Sequence, residues 1–238
     1  MGAAASALDF NGKSVNSIVE KLMPLYYQKD PVTAEDIYLA ENSWRVIIEG
    51  SSPQMHEMRQ TTGLHEADGM DLYKELFFSR LFDVHEAARP LFSEKAIRSG
   101  KFIGAIFQLC FKQLENPKEF RQEMVAVAQA HCQWGIRTVE YGIIGDVLFW
   151  SLHRILGEAY TRRVEEAWTR TFSSMLRVIV PIAVAFERDD GKFKKALAAR
   201  AQRAASFKQS QSPSGDSGLL TSELVHIYFF LLVTCSRD

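Results

Sequence analysis

Apolar residues recur at helical spacing along most of the chain. The clearest stripe runs from Ile103 to Leu114, with apolar side chains three or four positions apart on one face. Similar patterns predict other helices at 18–27, 34–48 and 70–82, a helix that carries His131, one that stops at Gly157, and a last long one. Strand patterns and internal repeats are absent from the sequence. The pattern therefore predicts an all-α fold with about seven helices between residues 15 and 188.

Helix boundaries are marked by capping residues and breakers. Thr33 is a suitable N-cap for the helix that begins at Ala34, and Thr161 begins the last long helix. Asn116 and Pro117 end one helix and open the next, which Gly135 closes. The polar stretch 51–67 contains Pro and Gly and is predicted to be an inserted loop.

Composition excludes several classes of protein. Hydrophobic residues make up 47% of the 238 positions, enough for a substantial core, and the net charge of -1 does not favour binding to nucleic acid. Cys110, Cys132 and Cys235 are widely spaced and form no disulfide framework or CxxC pair. The sequence shows no secretory signal and no apolar span of about 20 residues. We expect a cytoplasmic protein.

The two ends differ in character from the middle. Lys192 to Lys208 is basic and Ala-rich and is predicted to be a solvated helical extension. Residues 209–218 are rich in Ser, Gly and Gln, as in flexible linkers, and Leu219 to Cys235 is apolar but short for a membrane span. At the other end, Gly2 followed by Ser6 matches the N-myristoylation pattern. An acylated Gly2 would place the protein at the cytoplasmic face of a membrane, with the basic run as a second, electrostatic contact.

His131 is the main candidate for chemistry. It lies three, four and seven positions after Ala128, Val127 and Met124, so it shares the apolar face of its helix. A neutral imidazole there can donate a nitrogen lone pair to a metal. Taken alone, a histidine on an apolar face is more often a hydrogen-bonded core residue.

The surroundings of His131 closely resemble the second half of the globin family. The downstream match comprises His131, Gly135-Ile136, Tyr141, Gly145, Leu148, Leu156-Gly157, Thr161 and Ala167-Trp168. The upstream match comprises Trp44, Phe77 to Phe82 and Pro90-Leu91-Phe92. The resemblance covers about Asp36 to Glu187 and implies a globin fold packed around haem b, that is, iron protoporphyrin.

The resemblance also implies a role for each matching residue. His131 would be the axial iron ligand, and Phe92 the ring that stacks on the porphyrin. Phe78 would overhang the sixth coordination site. Two further residues, Ile136 and Tyr141, would line the porphyrin edge. Plain core packing is the alternative role for each of these pocket residues.

The distal side departs from the family pattern, which often places His or Gln there. Counting forward from Phe92 puts Phe102 at this position, with Ile106 one turn on. Counting back from His131 puts Ser99 there instead, with Ile103 one turn on, and Lys101 lies between the two registers. None of these residues supplies a neutral imidazole or amide. We therefore expect dioxygen to bind more weakly or exchange faster than in a His-gated globin.

The favoured function is reversible binding of dioxygen or another diatomic gas, for storage, transport or sensing, rather than catalysis. One alternative is a haem enzyme, such as a nitric oxide dioxygenase or peroxidase, which would need a separate reductase. Another is a membrane-tethered globin-type signalling module. The predicted organisation is an N-terminal extension (1–30), a globin domain (31–188) and a C-terminal extension (189–238).

Overall fold

The computed structural model describes residues 15–63, 65–93, 97 and 101–210, without the side chains of residues 101, 102 and 210. The α-helices are α1 (Val15–Leu22), α2 (Ala34–Glu49), α3 (Pro53–Thr62), α4 (Gly69–Val84), α5 (Lys101–Phe111), α6 (Pro117–Gln133), α7 (Thr138–Leu156), α8 (Arg162–Arg188) and α9 (Asp190–Ser210). Two 3-10 segments, Glu86–Leu91 and Gly157–Ala159, join α4 to the following loop and α7 to α8. These described ranges contain no strand, so the all-α prediction is confirmed.

Thr33 and Thr161 cap their helices as predicted, whereas Asn116 precedes α6 without a side-chain capping hydrogen bond. The Thr33 hydroxyl accepts a hydrogen bond from the backbone N–H of Asp36 at 3.2 Å, and the Asp36 carboxylate accepts one from the Thr33 N–H at 2.9 Å. At the start of α8, the Thr161 side chain accepts from the Val164 N–H. Each contact gives a partner to an N–H group that the helix itself leaves unpaired.

Residues 53–62 form helix α3, so the predicted loop there is wrong. Ser52 caps the helix through its hydroxyl, which accepts from the Met55 N–H at 3.2 Å, and Pro53 occupies the first turn. Gly63 ends the helix with a φ of 74°. Apolar periodicity did not reveal α3 because Met55 is its one buried side chain.

The predicted apolar stripe from Ile103 to Leu114 is shorter than expected. Helix α5 ends at Phe111, and Leu114 lies beyond it with 48% of its surface exposed. The prediction extends too far because helical spacing alone does not locate the residue at which packing stops.

Helix α8 forms the centre of the fold and packs against α1, α2, α6 and α7. The indole N–H of Trp168 on α8 donates to the hydroxyl of Ser43 on α2 at 2.9 Å, and the Trp44 ring packs beside it. By length and composition α8 could span a membrane, but more than half of its apolar stretch is buried in this core.

The segment containing α1 also packs into the core, although residues 1–30 were assigned to an N-terminal extension. Val19 and Met23 are buried, and the Tyr26 ring stacks on Phe149 and meets Phe172 edge-on. Gly145 on α7 allows this approach, since a Cβ there would lie 2.8 Å from the Tyr26 ring. Helix α1 is therefore part of the same packed unit.

Helix α9 is helical as predicted but is not a solvated extension. It folds back against α6, α8 and the first 3-10 segment, with Ala196 buried in the contact. Arg200 and Arg203 donate to carbonyl groups of the turn after α6. Lys192 and Lys194 pair with Asp189 and Asp190, so four of the basic residues face acidic or carbonyl groups of this chain.

The predictions that concern Gly2, residues 211–218 and Leu219 to Cys235 lie outside the described residues.

Candidate functional site

His131 lies in the last turn of α6, as the sequence predicted. Met124, Val127 and Ala128 on the same face are buried in the core. The carbonyl oxygen of His131 accepts a hydrogen bond from the Ile136 N–H at 3.0 Å. This bond closes the turn between α6 and α7, so the backbone of His131 is fixed by the residues that follow it.

Among the described residues, one side chain is within hydrogen-bond distance of the His131 imidazole. The hydroxyl of Tyr141 on α7 lies 3.3 Å from Nδ1 of His131. Within the same residues, Nε2 of the ring has no hydrogen-bond partner. A proton on Nδ1 can be donated to the Tyr141 oxygen, and the lone pair then remains on Nε2.

The surroundings of His131 keep its ring neutral. Burial lowers the pKa of His131 to about 4, so the imidazole is uncharged at pH 7. The residue is nevertheless only partly buried and keeps some accessible surface. A neutral, accessible imidazole held through Nδ1 can act as a metal ligand through Nε2.

Glu187 is a further residue of this region, and sequence reasoning missed it. Its carboxylate accepts a hydrogen bond from the Thr138 N–H at the start of α7. Its charge adds to burial in raising the pKa of Tyr141 and in raising that of Cys132 to about 11. Both groups therefore stay protonated at neutral pH.

The turn between α6 and α7 is also held by a buried carboxylate that sequence reasoning missed. Glu140 precedes Tyr141, and its side chain accepts hydrogen bonds from Arg200 on α9 and contacts His85 at 2.6 Å. Burial opposes ionisation of Glu140, but bonds from Arg200, the Arg137 N–H and His85 outweigh it and hold its pKa at about 2.

Aromatic side chains form a second cluster beside α4. The rings of Phe78 and Phe92 lie 5.2 Å apart, and Phe82 lies 5.7 Å from Phe78 and 6.1 Å from Phe92. Arg89 lies over the Phe82 ring at 4.5 Å. The structure therefore brings together Phe78 and Phe92, the two rings that the sequence assigned to the pocket.

The other predicted pocket residues occupy varied positions. Ile103 is buried, whereas Ile106 and Ile136 are partly buried and pack against the core. Phe102 lies in α5, but its side chain is outside the described residues, as is all of Ser99. No cluster of three or more His, Cys, Asp or Glu side chains that could hold a metal occurs among the residues described. Contact of these residues with a porphyrin stays a prediction.

Comparison with known proteins gives a family for the central part of the chain. The model of the family described as Globin matches residues 75–179, from α4 into α8, and so spans both the Phe78 cluster and His131. No solved structure matches the chain.

Curated relatives include proteins named flavohemoprotein. That of Bordetella pertussis is 23% identical over 155 residues, which is 62% of this chain and 36% of the relative. Those of Vibrio cholerae and Rhizobium meliloti are 25% identical over 126 residues and 24% identical over 106 residues, covering 52% and 43% of this chain. The chain spans only 26% to 36% of the length of these three relatives. Residues 75–179 of the chain therefore form a globin domain.

Proposed function

We propose that this protein binds haem through His131 and reversibly binds dioxygen or another diatomic gas. The observation that carries the proposal is the state of the His131 ring. Its Nδ1 faces Tyr141, its Nε2 has no partner within the described residues, and burial lowers its pKa to about 4. These are the properties that a proximal haem ligand requires.

The residues present fit a haem group. Haem iron supplies a site at which a diatomic gas can bind opposite one protein ligand. His131 would hold the iron, and Tyr141 would fix the direction of the ring by accepting the Nδ1 proton. The Phe78 and Phe92 rings would make the pocket apolar and exclude water from it. Exclusion of water slows oxidation of the iron, and reversible gas binding requires iron that stays reduced.

The test is the visible spectrum of the purified protein in the ferric and ferrous states, with and without carbon monoxide. A haem globin gives a shifted Soret band on addition of carbon monoxide to the ferrous protein. A ferrous protein that leaves carbon monoxide unbound would rule out gas binding. An oxygen off-rate as slow as that of strongly hydrogen-bonded globins would contradict our proposal of weak distal stabilisation near Phe102, Lys101 and Ser99.

A second candidate function is haem catalysis that depends on a reductase, such as nitric oxide dioxygenation. The curated relatives favour it, because their name denotes both flavin and haem, and a flavin can pass electrons to iron. This chain matches only part of those relatives, so the test supplies the flavin reductase as an added protein. Sustained consumption of nitric oxide with an added flavin reductase and NADH would favour catalysis. A single stoichiometric reaction would favour gas binding.

Attachment to the cytoplasmic face of a membrane through Gly2 is a separate proposal. It rests on the Gly2 to Ser6 pattern of the sequence. Labelling of cells with a myristate analogue tests it, with Gly2→Ala as the control. Label that persists in the Gly2→Ala variant would exclude Gly2 as the acylated residue.

A further inference from the structure

Arg200 lies on α9, beyond the end of the globin match at residue 179. Its guanidinium group donates to Glu140 twice, with both N–O distances at 2.7 Å. The same group donates to the carbonyl of Gly135 at 2.9 Å and to that of Ala87 at 3.4 Å. One side chain thus joins α9 to α7, to the turn after α6 and to the first 3-10 segment.

The two main partners of Arg200 are the sequence neighbours of the residues that hold His131. Gly135 precedes Ile136, whose N–H donates to the His131 carbonyl. Glu140 precedes Tyr141, whose hydroxyl faces Nδ1 of His131. A displacement of Arg200 would therefore free both the backbone and the side-chain contacts of His131.

Burial and charge make this contact specific to a guanidinium group. The side chains of Arg200 and Glu140 are 14% and 5% exposed, so removal of either charge leaves the other without its main partner in a poorly hydrated place. A lysine in place of Arg200 has no planar fork and could not donate to both carboxylate oxygens while reaching Gly135.

Arg203 adds a second bond between α9 and the same turn. Its guanidinium group donates to the Trp134 carbonyl at 3.0 Å, and the Trp134 ring lies 6.3 Å from the His131 ring. The backbone of Ala196 approaches Gly135 so closely that a Cβ on Gly135 would lie 3.0 Å from its oxygen. Helix α9 therefore contacts this turn through three of its own residues, Ala196, Arg200 and Arg203.

We propose that Arg200 is a positioning residue for His131, and that docking of α9 through Arg200 sets the orientation of the proximal imidazole. The proposal rests on the proposed haem-binding function. It makes the segment that follows the globin match a determinant of the pocket, so that a partner which displaces α9 would change haem and gas binding.

The experiment compares Arg200→Gln, Arg200→Lys and the double variant Arg200→Gln/Glu140→Gln with the wild type. Lys194→Gln is the matched control, because Lys194 lies on α9 but pairs with Asp190 at the surface. Two signals report on His131: the ring nitrogen chemical shifts of the haem-free protein, which identify the tautomer, and the iron–imidazole stretching band of the ferrous haem protein. Haem release and the thermal unfolding midpoint are measured in parallel.

We expect Arg200→Gln and Arg200→Lys to shift both His131 signals and to speed haem release about tenfold, as loss of supporting contacts around metal ligands does. The double variant leaves no unpaired buried charge, so its unfolding midpoint should recover towards that of the wild type while the His131 signals stay shifted. Lys194→Gln should match the wild type in every measurement.

The positioning role is overturned if Arg200→Gln lowers the unfolding midpoint but leaves the His131 signals and haem release unchanged. It is also overturned if the double variant restores the His131 signals together with stability, since Arg200 would then act on stability alone. Failure of the wild type to bind haem would defeat the proposed function. The nitrogen shifts of the haem-free protein would still decide whether Arg200 positions His131.

Discussion

The hydroxyl of Tyr141 lies 3.3 Å from Nδ1 of His131, and these residues come from different helices on either side of one turn. The contact gives the imidazole a fixed partner on the side away from Nε2. Burial lowers the pKa of His131 to about 4, so the ring is neutral at pH 7, and the contact is compatible with a proton on Nδ1 and a lone pair on Nε2.

Tyr141→Phe should weaken haem retention without changing the fold. Removal of the hydroxyl leaves Nδ1 without its partner, so the ring loses its preferred tautomer and direction. We expect haem to transfer to an excess of a haem-scavenging apoprotein about tenfold faster. Tyr160→Phe is the control, because the buried Tyr160 hydroxyl has no partner among the described residues. Equal transfer rates for both variants would contradict the role given to Tyr141.

The pair of Glu140 and Arg200 should make stability depend on acid pH. The folded pKa of Glu140 is about 2 against an ordinary value of 4.5, so the unfolded chain takes up the proton first. This contribution is complete above pH 4.5 and is lost as the pH falls towards 2. The shift corresponds to about 3 kcal/mol.

Denaturant unfolding from pH 7 to pH 2 checks this expectation. Glu140→Gln should be less stable than the wild type at pH 7, and the difference should shrink below pH 4.5. Asp190→Asn, at a carboxylate that is 81% exposed, should follow the wild type throughout. A difference between Glu140→Gln and the wild type that stays constant with pH would contradict the prediction.

Docking of α9 should make Gly135 more sensitive to alanine than Gly63. Both residues have a left-handed backbone, with φ values of 73° and 74°, so alanine is strained at either by about 1 kcal/mol. A Cβ on Gly135 would also lie 3.0 Å from the Ala196 oxygen, whereas a Cβ on Gly63 meets nothing within 4 Å. Gly135→Ala should therefore cost more unfolding free energy than Gly63→Ala.

Truncation after Asp189 provides the control for this comparison. Without α9 the extra cost of Gly135→Ala should disappear, and the two alanine variants should be equally destabilised. If Gly135→Ala still costs more unfolding free energy than Gly63→Ala in the truncated protein, contact with α9 is not the cause of the difference.

Packing of Met23 and Tyr26, which follow α1, should make two glycines of α7 respond in opposite directions to substitution by alanine. A Cβ on Gly145 would lie 2.8 Å from the Tyr26 ring and 2.9 Å from the Phe172 ring, so Gly145→Ala should cost about 1–3 kcal/mol. A Cβ on Gly142 makes only an ordinary contact of 3.5 Å with Met23, and alanine favours the helix by about 0.5–1 kcal/mol. Chemical denaturation measures both, and stabilisation by Gly145→Ala would contradict the packing of Tyr26 against α7.

Most of the helices and the main candidate ligand could be predicted from the sequence. Thr33, Thr161 and Gly157 mark boundaries because the groups that cap a helix are local in sequence. His131 could be placed on a buried face because its apolar neighbours, Val127 and Ala128, lie on the same helix.

What could not be predicted depends on contacts between distant residues. Helix α9 has no apolar stripe, and it is held by Arg200 on a carboxylate 60 positions away in the chain. Helix α3 was missed since it buries only Met55, although Ser52, Pro53 and Gly63 gave its capping signals. Glu140 and Glu187 appear as ordinary charged residues until the fold surrounds them with donors.

The most direct test of the central claim is chemical rescue of a His131→Gly variant. Its spectrum is recorded after addition of haem, with and without free imidazole, and compared with those of the wild type and of His153→Gly at the exposed end of α7. We predict that His131→Gly loses the wild-type ferrous spectrum, that imidazole restores it, and that His153→Gly keeps it. A His131→Gly protein that takes up haem with the wild-type spectrum in the absence of imidazole would contradict the assignment of His131 as the iron ligand.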